Sequence, residues 1–241
     1  MENAIEVSGL SKAYDGRKAV DGLSFRVPRG TVFGLLGANG AGKSTTIDCM
    51  LGTKRMDAGR VRILGMDPVR ERRALFERVG VQFQEGDYPG GIRVGELCEE
   101  TACLYRHAKD WRALLAQFGI GGKEKRSVKS LSGGERQRLF IVLALIPEPE
   151  AVFLDELTTG LDARARRDVW AALEALKAQG MTLLLTSHFM DEVEALCDRI
   201  CILKNGVPVF QGTVEEAKVQ CGCARFEDAY LTLSEEGEKH T

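Results

Sequence analysis

Between residues 4 and 36 the apolar positions fall in short runs separated by turns: Ile5 to Val7, Leu23 to Val27, and Val32 to Leu36, which leads into a glycine-rich loop. Runs of this length bounded by turn residues predict β-strands. The last one feeds a helix that follows Gly42 and continues to about Leu51. Gly52 and Asp57-Ala58-Gly59 read as turns, Val61-Arg62-Ile63-Leu64 as an alternating strand, and Val79 to Phe83 as another strand. From Glu85 to Pro149 the pattern becomes mostly helical, with a loop at Gly119-Ile120-Gly121-Gly122 and a basic run from Lys123 to Lys129, and it reads as an inserted helical lobe. From Ala151 strand and helix alternate: strand Ala151 to Leu154, helix Ala163 to Ala178, strand Thr182 to Leu185, helix Met190 to Asp198, strand Arg199 to Leu203. This alternation predicts an α/β sheet with crossovers. Val193, Leu196, Cys197 and Ile200 have the i, i+3, i+4, i+7 spacing of one buried helix face. The last dozen residues, rich in Glu, Lys and Ser, read as a loose tail, and there are no internal repeats.

Composition adds bounds rather than chemistry. The 241 residues suit one large domain, and 28% charged with 44% apolar residues is ordinary for a globular chain. A net charge of -2 gives no reason to expect a nucleic acid partner. The longest unbroken apolar stretch, Leu139 to Ile146, is far short of the roughly 20 residues that span a bilayer. The N-terminus lacks the basic and apolar regions of a secretory signal, so a cytoplasmic location is expected. The seven cysteines are an odd number, and Cys49, Cys98, Cys103, Cys197 and Cys201 lie in apolar surroundings, which predicts reduced thiols packed in a core. Cys221 and Cys223 with Cys197 and Cys201 offer four thiolates, but without the usual zinc spacing.

Three segments carry candidate chemistry. Gly37-Ala38-Asn39-Gly40-Ala41-Gly42-Lys43-Ser44 fits G-x-x-x-x-G-K-[ST] between an apolar strand and a helix. Glycines there let backbone N–H groups converge on phosphate oxygens while the helix adds its positive end. Lys43 is placed to reach the β- and γ-phosphates, and the Ser44 hydroxyl to coordinate magnesium. Ala151 to Leu154 is an apolar strand that runs into Asp155 and Glu156. Carboxylates at the end of a buried strand are costly unless used. Asp155 suits a magnesium ion, and Glu156, aimed differently, suits polarisation of an attacking water. Leu131-Ser132-Gly133-Gly134-Glu135 is a second glycine-rich turn at a helix start, where Ser132 as N-cap and Glu135 three residues on also make an ordinary capping box.

With these three in order, the sequence resembles the ATP-binding cassette (ABC) ATPases over nearly its whole length, Leu131 to Glu135 matching their signature turn. The resemblance implies an α/β fold: a P-loop NTPase (RecA-like) core with an N-terminal antiparallel β subdomain and an inserted α-helical subdomain. It places a single ATPase domain at 1–215, with core residues 1–84 and 150–215 and helical residues 85–149, followed by a tail at 216–241. It implies ATP and Mg2+ as ligands. Tyr14, 23 residues before Gly37, matches the aromatic that stacks on adenine, and Thr45 extends the phosphate loop. Gln84 matches the glutamine that touches magnesium and water, with Gln82 as a near rival. Thr159-Gly160-Leu161-Asp162 resembles the loop through which subunits meet, and His188 the switch histidine near the γ-phosphate. Ser132, Gly133 and Gly134 would meet nucleotide held by the partner's phosphate loop. Leu157 and Ala38 stand where the family commonly has proline; neither replaces a group that touches ATP.

The resemblance also implies a head-to-tail pair, as a homodimer or with a second ABC ATPase, bound to separate transmembrane permease subunits at the inner face of the membrane. The glycine loop region Gly34 to Thr46 and the segment Phe226 to Leu231 look most like ABC-2 type exporter ATPases, which serve drug, antibiotic or lipid-like cargo. A soluble ABC ATPase acting on ribosomes or DNA repair is the alternative, although such proteins generally carry two cassettes or a long coiled-coil insertion. A GTPase or kinase is disfavoured by the signature turn, Glu156 and Tyr14.

Overall fold

The structure is a computed structural model that describes residues 2–82, 91–156 and 158–235. Two long strands, β1 (Asn3–Tyr14) and β2 (Arg17–Pro28), form a hairpin, and β4 (Ala58–Ile63) pairs with the other edge of β1, giving an antiparallel sheet in the order β2-β1-β4. The hairpin turns at Asp15-Gly16, both at positive φ, which is the geometry a two-residue turn needs to match the twist of its strands. A six-stranded sheet is built from β3 (Val32–Gly37), β5 (Val79–Gln82), β6 (Ala151–Leu154), β7 (Thr182–Leu185), β8 (Arg199–Lys204) and β9 (Val207–Gly212), in the order β5-β6-β7-β3-β8-β9. All its neighbours run parallel except β8 and β9, which join through Asn205-Gly206 in a second positive-φ turn.

The parallel order follows from burial. Every residue of β3, β6 and β7 is buried, as expected of strands covered on both faces by crossover helices. Those helices are α1 (Lys43–Met50) after β3, α6 (Ala163–Ala178) after β6 and α7 (Met190–Leu196) after β7. A short α2 (Arg72–Phe76) precedes β5. The helical lobe holds α3 (Val94–Cys103), α4 (Trp111–Gln117) and α5 (Gly133–Leu145). Trp111, Leu114, Leu115 and Phe118 of the lobe share one apolar cluster with α5, the Val152 face of the sheet and α6. That shared cluster fixes the lobe's signature helix against the strands that carry the acids.

Several expectations change. Ile200 is buried in β8, not on a helix face, because α7 stops at Leu196 and Cys197 turns into extended backbone. Cys103 is exposed rather than packed, although all seven cysteines are free thiols. Among the described residues beyond 212 are two helices, α8 (Val214–Cys221) and α9 (Phe226–Glu235). Phe226, Ala229 and Leu233 are buried in a cluster with Val193, Ile200 and Ile202, so Leu233, within the stretch expected to be a loose tail, is held by packing. Phe83, Gln84 and Leu157 lie outside the described residues.

The candidate nucleotide site

The strand-to-helix passage at the end of β3 makes the site's floor. Gly42 is the N-cap of α1 at φ 102, and a Cβ there would lie 2.4 Å from the Ala19 carbonyl. At Gly37, φ 150, a Cβ would lie 2.5 Å from the Leu203 carbonyl. Only glycine lets the loop run this close to its neighbours. Among the described residues, no backbone acceptor receives the N–H of Gly40, Gly42, Lys43, Ser44 or Thr45, the donors that a helix start leaves over. They border a cleft of about 340 Å³ lined by Ala19, Asn39, Gly40, Gly42, Lys43, Ser44, Thr45 and Glu156. Free amides, a helix N-terminus and a lysine make a cradle for phosphate oxygens, so these residues fit a nucleotide triphosphate.

Lys43 is buried, and its Nζ donates to the carbonyls of Gly37 at 2.7 Å and Ala38 at 3.1 Å. Burial lowers its pKa from the ordinary amine value, and the charges of Asp155 and Glu156 oppose that shift. Ala41 closes the loop, donating to Ala38 and accepting from the Gly206 amide. The Ser44 side chain is exposed at the cleft and Thr45 half-buried.

Asp155 and Glu156 lie just past the end of β6, with Asp155 buried. Burial raises the Asp155 carboxyl above its usual range, while a hydrogen bond from Thr186 opposes this and the neighbouring Glu156 charge adds to it. Glu156 has φ 51, a left-handed turn that swings its side chain out of the strand's alternation. Thr186 joins the pair: its Oγ1 donates to Asp155 Oδ1 and accepts the Glu156 amide at 2.9 Å. The sequence reading passed over Thr186, for which the only signal was a hydroxyl immediately after the apolar run of β7. His188, exposed in the β7–α7 loop, brings Nε2 to 3.2 Å from Glu156 Oε1. Gln137 of α5 donates to the Glu156 carbonyl at 3.2 Å, a direct tie between the signature helix and the acid.

Tyr14, partly exposed at the end of β1, has the ammonium groups of Lys12 and Lys54 at 5.2 and 6.0 Å from its ring centroid. It lines a cleft of about 270 Å³ with Arg17, Lys18, Ala19, Gly40 and Asn205. Ala19 and Gly40 border both clefts, so an aromatic face adjoins the phosphate cradle. Ser132 caps α5 and exchanges hydrogen bonds with Glu135, whose carboxyl is held below its usual range first by Lys123. Ser132 and Gly133 are exposed, and neither they nor Gly134 line the phosphate cleft. The structure thus gathers the glycine loop, Asp155, Glu156 and His188, sets Tyr14 beside them, and leaves the signature turn apart. Gln84 cannot be placed, since it lies outside the described residues.

Comparison with known proteins shows the family of this chain. The ABC transporter family model matches residues 20–159, more than half of the chain. The daunorubicin resistance ATP-binding protein DrrA3 of Streptomyces coeruleorubidus is 40% identical over 98% of this chain and 76% of its own length. The Nod factor export ATP-binding protein I of Paraburkholderia xenovorans (strain LB400) is 41% identical over 88% of this chain and 71% of its own. A solved ATP-binding subunit of an ABC transporter superposes with a TM-score of 0.88 at 27% identity, over 96% of this chain and all of that one. With a phosphate cradle, an acid pair and a detached signature turn on that fold, the chain belongs to the ABC transporter family as an ATP-binding, ATP-hydrolysing subunit.

Proposed function

We propose that this chain is one half of an exporter's motor, hydrolysing ATP only when its signature turn meets the phosphate cradle of a second ATPase chain. The observation that carries the reading is the separation of the two parts: Ser132 and Gly133 are exposed and outside the cleft that Lys43 and Glu156 line. One copy holds each half once, and a twofold pair completes two sites. With every residue of the hydrolytic set carried by this chain, a homodimer has two competent sites; a pair with a different ABC ATPase uses the same faces.

In this reading Tyr14 stacks on adenine, and the amides of Ala38 to Thr45 with Lys43 bind the phosphates. Ser44, Asp155 and Gln84 would hold Mg2+, which would neutralise phosphate charge. Glu156 takes a proton from the attacking water as general base, and His188, already within 3.2 Å of that carboxylate, orients it toward the γ-phosphate. The relatives named for daunorubicin resistance and Nod factor export support an export role, in which drug, antibiotic or lipid-like cargo is met by separate membrane-spanning subunits. The chain then sits at the inner face of the membrane, and the helical lobe receives the permease and turns pairing into its movement.

Glu156→Gln tests this. Binding of ATP should persist within about threefold while turnover falls by roughly 100-fold or more, as for loss of a general base. ATP should then hold the variant as a pair in gel filtration. A variant that still turns over near the original rate removes Glu156 from the role of base, and one that never pairs with ATP removes the site shared between two chains.

A further inference from the structure

Behind the acid pair and the histidine loop, four segments meet at a buried carboxylate to which the proposed chemistry gives no task. Glu192, in the first turn of α7, is fully buried. Its Oε1 accepts a hydrogen bond from Trp170 Nε1 of α6 at 3.0 Å. Its Oε2 is buried without a hydrogen bond, as are Thr158 Oγ1 and Arg166 Nε. The start of α7 does not use this carboxylate, because the Glu192 amide donates to Asp191 Oδ1 instead. Burial raises the Glu192 carboxyl above its usual range, while Ser187, Thr158, Trp170 and the Arg166 charge act against that shift. Arg166 also reaches across to α7 and its loop, with Nη1 3.1 Å from Asp191 Oδ2 and its guanidinium 4.0 Å from the Phe189 ring centroid.

A buried carboxylate costs free energy that apolar packing would not, so its surroundings point to a use. Those surroundings are specific. Thr158 lies two residues after Glu156, and Ser187 immediately before His188. The Thr158 and Ser187 hydroxyls act on the Glu192 carboxyl, which therefore lies behind both of the turns that carry Glu156 and His188. We propose that Glu192 is a positioning residue for ATP hydrolysis, tying the Thr158 turn to the Ser187–Phe189 loop through α6 so that Glu156 and His188 stay in register. The role rests on the reading of Glu156 and His188 given above. It acts on geometry at the reacting centre, where displacements of about an ångström cost up to about 100-fold in rate.

The test compares Glu192→Ala, Glu192→Gln and Trp170→Phe in the full chain by steady-state ATPase kinetics and by ATP titration, with Glu156→Gln run in parallel. Glu192→Ala should lower kcat by about tenfold or more while the Kd for ATP stays within about threefold, since the phosphate loop is untouched. Glu192→Gln should restore kcat to within about threefold, because its amide oxygen accepts from Trp170 and its amide nitrogen can donate to Thr158. Wild-type kcat in Glu192→Ala overturns the proposal, as does loss of ATP affinity in step with kcat, or a Gln variant as slow as the Ala variant. Should the Ala variant not fold, Trp170→Phe decides: a fall of about threefold or more in kcat at unchanged Kd supports the role, and wild-type kcat overturns it. Retained turnover in Glu156→Gln defeats the reading of the base itself, whereas an inactive Glu156→Gln beside a fully active Glu192→Ala defeats this proposal alone.

Discussion

At the scale of single residues, backbone conformation separates glycines that the motif treats alike. Gly40 and Gly42 both have positive φ, at 79 and 102, and alanine at either carries a left-handed cost of about 1–2 kcal/mol. A Cβ on Gly40 would meet open space, whereas on Gly42 it would collide with the Ala19 carbonyl. Gly42→Ala should therefore lower Tm well beyond the roughly 2–8 °C expected of Gly40→Ala. Thermal melts of the two variants check this, and equal losses would contradict the close approach. The same scale explains why Glu156 can act apart from Asp155: its φ of 51 breaks the strand's alternation, which one residue of sequence spacing only hints at.

At the scale of elements, a charged knot joins the end of β2 to the strands of the core. Glu150, just before β6, binds Arg78, just before β5, and Arg29, just after β2, the latter at 2.8 Å. Arg78 first and Arg29 second hold its carboxyl below the usual glutamate range. A depressed folded-state pKa contributes stability above the unfolded value, lost as pH falls through the folded value. The groups are over a third exposed, so screening keeps the contribution to about 0.5–1 kcal/mol. Glu150→Gln should lower Tm by roughly 1–4 °C at pH 7. The gap to wild type should close as pH falls through the depressed carboxyl pKa, and narrow in high salt. A constant gap across the acid limb would show that packing, and not charge, is responsible.

At the scale of the whole molecule, the glycine loop and α1 pack in one apolar cluster and the signature turn and α5 in another, and in the proposed function a second chain brings the two parts together. No helix among the described residues is long and apolar enough to cross a membrane. The proposed export role assigns membrane attachment to a partner. On cell fractionation, the chain should sediment with membranes when its permease is co-expressed and remain in the supernatant when it is not. Equal membrane recovery in both cases would contradict attachment through a permease.

Much of this was legible in the sequence because the informative features are local. A glycine loop must sit between an apolar strand and a helix, and β3 and α1 are where Val32 to Leu36 and the residues after Gly42 put them. The strands and helix from Ala151 to Leu185 likewise follow their apolar runs, since a doubly covered strand has to be continuously apolar. The hairpin turns Asp15-Gly16 and Asn205-Gly206 were written in the chain but passed over, and with them the full length of β1 and β2 and the existence of β9. Other features depend on neighbours distant in sequence. Ile200 fits a helical spacing, yet the chain leaves the helix at Cys197 because β8 gains a place beside β3. Helix α9 carries Phe226, Ala229, Tyr230 and Leu233 at the spacing of one helix face, a signal the family likeness of Phe226 to Leu231 overshadowed, and it is fixed by burying Phe226 and Leu233 against β8. Thr186 gains its role only when β6 and β7 lie side by side, and Glu192 only when α6 packs on α7. Local pattern set which segments are strands, helices and phosphate-binding turns, because those choices rest on periodicity and backbone conformation. Which side chains meet at Glu156, and that Ser132 stays out of reach of its own cradle, were decided by packing across segments far apart in the chain.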